Sequence, residues 1–109
     1  MKLICSLIQT NPRLGDVEAN LDEAEARISG NDADLVVLPE LFATGYFFES
    51  TEQAHVLAEP VKGGQTVARL ERWARETGAT FVAGLAERDE TRRGETRVYN
   101  SAVVVTPKG

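Results

Sequence analysis

Leu35-Val36-Val37-Leu38-Pro39-Glu40 is the stretch on which the rest of the chain turns. Four consecutive apolar residues, two of them β-branched, make a short strand apolar on both faces, as in layered α/β folds. Pro39 ends it, because proline brings no N–H to a ladder. A carboxylate follows at once. Ligands of α/β sheets collect outside the carboxyl ends of strands, which singles out Glu40. The next residues, Glu40–Phe48, read Glu-Leu-Phe-Ala-Thr-Gly-Tyr-Phe-Phe and suit a loop better than a strand. Phe42, Tyr46, Phe47 and Phe48 are expected to form apolar walls beside the carboxylate, an environment that favours a proton-accepting role. The residues alone leave a plainer reading open, in which Glu40 is a loop glutamate facing water.

Upstream, Lys2–Gln9 reads as a strand with Leu3, Cys5 and Leu7 on one face and Ile4 and Ile8 on the other. Both faces are therefore expected to be covered, with Cys5 a buried structural thiol. Asn11-Pro12 and Gly15 break the strand. Asp16 is placed as an N-cap. Val17, Leu21, Ala24 and Ile28 follow on one helical face, Glu18 and Arg27 suit the helix dipole, and Gly30 lies just past the end.

Downstream, Ser50 with Gln53 suggests a capping box for a short helix to about Ala58, ended by Pro60. Val67, Leu70, Trp73 and Ala74 predict a helix over Gln65–Thr77 closed by Gly78. Gly63-Gly64-Gln65-Thr66 reads as its entry; it lacks the lysine of a phosphate-binding loop. Thr80–Ala86 is a third buried strand and Val98–Thr106 a fourth. The charged run Glu87–Arg97 between them reads as a hairpin tip. The order predicts an α/β fold whose sheet is partly parallel and closes with an antiparallel pair.

The 109 residues suit one domain at most, and 42% hydrophobic content argues against disorder. Lys+Arg 12 against Asp+Glu 17 gives a net charge of −5, which disfavours nucleic acid and anionic membranes as partners. No apolar run approaches the ~20 residues of a membrane span. The apolar start lacks a cleavage site, so a cytoplasmic protein is expected. One cysteine excludes an internal disulfide and a four-cysteine zinc site, and His55, the only histidine, has no second ligand nearby. No metal or organic cofactor is expected.

Val36-Val37-Leu38-Pro39-Glu40-Leu41-Phe42-Ala43-Thr44-Gly45-Tyr46 resembles the first catalytic block of the nitrilase superfamily, the carbon–nitrogen hydrolases. Gln9-Thr10-Asn11-Pro12 with Gly15–Leu21 resembles the family's first strand-to-helix passage. Gly84-Leu85-Ala86-Glu87 and Tyr99–Val105 resemble its later strand pair. The resemblance implies the N-terminal portion of a four-layer α-β-β-α sandwich, with residues 1–109 a partial, incomplete domain. It implies a Glu-Lys-Cys triad in which Glu40 is the general base, with the lysine and cysteine beyond Gly109. Lys108 belongs to the closing turn and Cys5 has no adjacent base, so neither takes those roles. Tyr46 is a candidate substrate contact, or equally a packing residue.

The activity implied is hydrolysis of a small amide, carbamoyl or nitrile substrate, with the amide favoured. This stretch by itself is expected to be inactive. Pro107-Lys108-Gly109 is a turn that normally leads into another strand, so Val103–Val105 are expected on an unfinished sheet, with a homo-oligomer or self-association the result. The alternative reading is a non-catalytic α/β interaction module that pairs its open sheet edge with a partner strand.

Overall fold

The computed structural model describes residues 1–92 and 94–109, with the backbone alone at Thr91 and Arg92. In chain order the elements are β1 (Cys5–Leu7), α1 (Val17–Ile28), β2 (Leu35–Val37), α2 (Thr51–Leu57), α3 (Gln65–Thr77), β3 (Thr80–Arg92) and β4 (Glu95–Val105). They form one mixed sheet in the order β1-β2-β3-β4. β1, β2 and β3 run parallel, and β4 returns antiparallel to β3. Parallel neighbours need a crossover, and the stretches containing α1 and then α2 with α3 supply them.

The helices form where local chemistry places them. Asp16 is the N-cap residue of α1, although its side chain makes no capping bond. Ser50 caps α2 by accepting from the Gln53 N–H at 3.0 Å, while the Gln53 side chain takes the Glu49 N–H and not that of Ser50. α3 ends at Gly78, whose φ of 75° is the left-handed C-cap conformation. Its N-cap, Gly64, has no side chain to offer. Glu59 fills the gap, accepting from the Thr66 N–H at 2.8 Å and from the Thr66 hydroxyl. A carboxylate already occupies this helix entry, in keeping with its structural reading.

One face of the sheet carries the core. Val36, Phe81, Ala83 and Val105 point to it and pack with Leu21, Ala24 and Ile28 of α1 and Leu70, Trp73 and Ala74 of α3. The Trp73 and Phe81 rings lie 6.1 Å apart and tilted. The two helices are also tied across their outer rim. The Trp73 indole donates to Glu25 at 2.6 Å, and Arg69 reaches Glu18 and Asp22, each at 3.0 Å. The guanidinium of Arg69 is held above its ordinary pKa, chiefly by the hydrogen bond to Asp22.

The opposite face is open over much of its area, which corrects the reading of β1. The strand spans only Cys5–Leu7 and is not covered on both sides: Leu3 is 60% exposed, Leu7 79%, and Cys5 is exposed rather than buried. The reason is positional. β1 is an edge strand, and α1 and α3 lie against one face only. Val104, on the other edge strand, is 66% exposed.

The hairpin also departs from expectation. Its strands run through the charged segment, pairing Glu87 with Tyr99, Arg88 with Val98 and Asp89 with Arg97. Backbone ladders do not require apolar side chains: Glu87, Arg88 and Asp89 are half-buried, and Val98 packs in a second, smaller apolar cluster. Gly94, with φ 74°, lies in the turn, and Arg93 lies outside the described residues.

Truncating Trp73 to alanine should cost about 3–5 kcal/mol of stability. Arg27→Ala, which breaks an exposed pair with Glu23 at 3.4 Å, should cost about 0.3–0.5 kcal/mol. Urea unfolding of both variants, with unchanged slopes, checks the ratio.

Candidate active site

Glu40 leaves the end of β2 on a backbone that is fixed from three sides. The Leu38 N–H donates to the Val82 carbonyl at 2.8 Å, so register with β3 continues past the last strand residue. Leu41 then adopts φ 51°, a left-handed conformation that few non-glycine residues take. Such a value persists only where the surroundings enforce it, and outliers of this kind cluster at functional sites. The third side is Gly84. A Cβ there would lie 2.7 Å from the Glu40 Cα and 3.1 Å from the Leu41 N. The absence of a side chain at Gly84 lets the Glu40 backbone rest directly on β3.

The rest of the loop is anchored to the β1–α1 passage. Asn20, buried in α1, donates to the carbonyls of Arg13 and Ala43 and accepts from the Arg13 N–H, all at 2.8 Å. The Gly15 N–H donates to the Thr44 carbonyl at 2.9 Å. Gly45 (φ 89°) passes so close to Leu14 that a Cβ would lie 2.9 Å from its Cα. The two sequence blocks flanking β1 and following β2 are thus one interlocked unit.

The Glu40 side chain is exposed and accepts a hydrogen bond from the Asn100 amide on Oε1. It borders a depression of about 350 Å³ lined by Leu38, Val82, Gly84, Asn100 and Ala102, on the open face of the sheet. A carboxylate held this way can accept a proton from a group placed over the depression.

The aromatic walls expected beside Glu40 are not there. Phe42 is fully buried in the main core. Phe48 packs with Leu41, Ala58, Ala86 and Val98 in a second cluster. Phe47 is 86% exposed and Tyr46 39%. Two left-handed residues, Leu41 and Gly45, turn the chain between Glu40 and Tyr46, so the four rings do not share a direction. Tyr46 does not line the Glu40 depression, so the structure does not bring the two sequence-selected residues together in one pocket. His55 lines a separate groove of about 690 Å³ with Phe48, Arg97 and Tyr99. Among the described residues, no cluster of histidine, cysteine or acidic side chains could hold a metal ion, and no helix is long and apolar enough to cross a membrane.

Asn100 was not singled out from the sequence. It lies 60 residues from Glu40, and only the β3–β4 register brings the two together. Its place two residues before Ala102, itself opposite Gly84, was the available signal, but it has meaning only once the pairing is known.

A family model described as carbon–nitrogen hydrolase matches residues 5–109. A nitrilase of Pyrococcus abyssi is 45% identical over 105 residues, covering 94% of this chain and 38% of that protein. An (R)-stereoselective amidase of a Pseudomonas species is 36% identical, covering 94% of this chain and 35% of that protein. A crystal structure of a CN-hydrolase superfamily protein of Xanthomonas campestris, with an arsenic adduct in its active site, superposes with a TM-score of 0.81 at 32% identity, over 97% of this chain and 37% of that one. The chain thus spans less than two-fifths of the length of each of these relatives.

Two substitutions test the scaffold. Gly84→Ala forces the Glu40 backbone off β3 and should cost about 1–3 kcal/mol by overpacking. Asn20→Ala strips partners from buried backbone groups and should cost about 1–3 kcal/mol. Chemical denaturation measures both, and Gly84→Ala should in addition perturb the backbone resonances of Glu40 and Leu41.

Proposed function

Since the chain belongs to the carbon–nitrogen hydrolase family, we propose that it carries the general base, Glu40, of a hydrolase acting on non-peptide carbon–nitrogen bonds. The nucleophile in this reading is a cysteine thiol, and the third member of the triad is a lysine, both from sequence beyond residue 109. The substrate class is a small amide, in line with the amidase among the relatives. The single observation that carries the reading is the held carboxylate: a glutamate at a strand's carboxyl end, its backbone seated on Gly84 and its Oε1 engaged by Asn100.

The chemistry follows from the thiol. A free cysteine has a pKa of ~8.5 and is mostly protonated near neutrality. Glu40 takes its proton as the sulfur bonds to the amide carbon. The lysine stabilises the negative charge that develops on the carbonyl oxygen. As the carbon–nitrogen bond breaks, the proton on Glu40 passes to the leaving amine. Water then attacks the thioester, again giving a proton to Glu40, and the thiol is restored. Cys5 does not fit the nucleophile's place. It pairs with Leu35, so the strand alone sets it more than ~10 Å from Glu40 at ~3.3 Å per residue.

The exposed apolar face suits the same reading. Leu7 and Val104, 79% and 66% exposed, are the side chains a second sheet would cover in a four-layer sandwich, with residues 1–109 forming part of that domain. The depression beside Glu40 then becomes enclosed between the sheets. Self-association of this stretch when isolated is the matching expectation.

In the full-length protein, Glu40→Gln should lower kcat/KM for a small aliphatic amide by roughly 10²–10⁴-fold, the usual worth of general acid–base catalysis. The thermal midpoint should hardly move, because the contacts that hold the loop, the Glu40 backbone on Gly84 and the Asn20 clamp, do not involve this side chain. Steady-state kinetics with calorimetry checks this, and a variant as fast as the wild type would refute the assignment.

A further inference from the structure

The backbone of Glu40 is fixed, but three side-chain torsions separate its carboxylate from that backbone. An unrestrained glutamate would sweep its oxygens over several ångströms. Among the described residues, one side chain restrains it: Asn100, whose Nδ2 donates to Oε1. We propose that Asn100 is a positioning residue for Glu40, holding Oε1 so that Oε2 is the atom presented to the thiol proton. This rests on Glu40 being the base.

Three features support the assignment. Asn100 is set by the sheet rather than by a loop. It pairs with Ala86, and Gly84 pairs with Ala102, so Asn100 and Gly84 are diagonal neighbours on one face of the β3–β4 ladder. The residue that lets the Glu40 backbone down onto the sheet and the residue that grips its carboxylate are thus fixed by one register. A slip of one residue would turn Asn100 to the opposite face. The chemistry also has one sense. An ionised carboxylate offers only acceptors, so the amide must face it with its NH2 group; the amide oxygen in that place would set acceptor against acceptor. Finally, the amide is a neutral donor, which orients the carboxylate without adding a charge of its own. A hydrogen bond to a charged group is also stronger than one between neutral partners.

The test uses the full-length enzyme and a small aliphatic amide. Asn100→Leu, similar in size but without a donor, should lower kcat by about 10–100-fold with KM within about threefold, and leave the thermal midpoint unchanged. Asn100→Asp, which sets an anion against the carboxylate, should lose more. Asn100→Gln, which returns an NH2 donor on a longer stem, should recover at least about tenfold relative to Asn100→Leu. A rate for Asn100→Leu within about twofold of wild type overturns the proposal. So does an equal loss in the leucine and glutamine variants accompanied by a lowered thermal midpoint, the signature of a purely structural role. Glu40→Gln measured alongside separates the two readings. If it retains wild-type activity, the base assignment fails. If it is inactive while Asn100→Leu is normal, Glu40 remains the base and the positioning role alone is lost.

Discussion

The contact between the Glu40 backbone and Gly84 is the constraint on which the site depends. β2 must stop and the chain must cross over β3 without lifting away from it. That is possible only where the strand beneath has no side chain, and a Cβ at Gly84 would lie 2.7 Å from the Glu40 Cα. The crossing has a cost, seen in the left-handed backbone of Leu41, a residue with no intrinsic preference for it. The cost is offset by burial of Leu41 against Ala58 and Ala86 and by the Asn20 clamp behind the loop. Strain and burial meet at Leu41, next to the carboxylate, and the Asn20 hydrogen bond holds Ala43 two residues on, so the loop serves as a mount for Glu40.

The two faces of the sheet divide the labour. The face covered by α1 and α3 holds the larger cluster, with Trp73 and Phe81 at its centre, and supplies the stability. The other face carries Glu40, Asn100 and the depression between them, together with exposed Leu7 and Val104. A site on a sheet's open face gains rigidity from the ladder beneath it: Gly84 lies on the inner strand β3, and Asn100 on the edge strand β4 is held by its pairing with β3. It gains exclusion of water only when something covers it. The apolar character of that face is what a covering layer requires, which ties the chemistry proposed for Glu40 to the packing of the surrounding domain.

Helices α1 and α3 were legible almost residue for residue, and so was the parallel-then-antiparallel order of strands. Their determinants are local: apolar spacings of three and four, a serine or glycine at an end, a proline where a ladder stops. Glu40 was legible for the same reason, since its position after Leu35–Leu38 and Pro39 is a statement about neighbours in sequence. The aromatic walls do not form, because ring residues close in sequence need not share a direction. The chain turns at Leu41 and again at Gly45; Phe42 lies in the core, while Phe47 faces solvent. Cys5 is exposed, because an apolar strand reveals that it can be covered, not that a layer lies on each side of it. The hairpin ran longer than its charged sequence suggested, since ladder pairing is a backbone property.

What the sequence determined by itself is the set of elements, their order and a carboxylate at the mouth of the sheet, because these follow from interactions spanning a few residues. What only the tertiary structure decided is the company that carboxylate keeps. Asn100 meets Glu40 across 60 residues through one strand register, and Gly84 admits the loop through a clearance of a few ångströms. Neither relation leaves a periodic trace in the chain, because each depends on where separate segments come to rest in space.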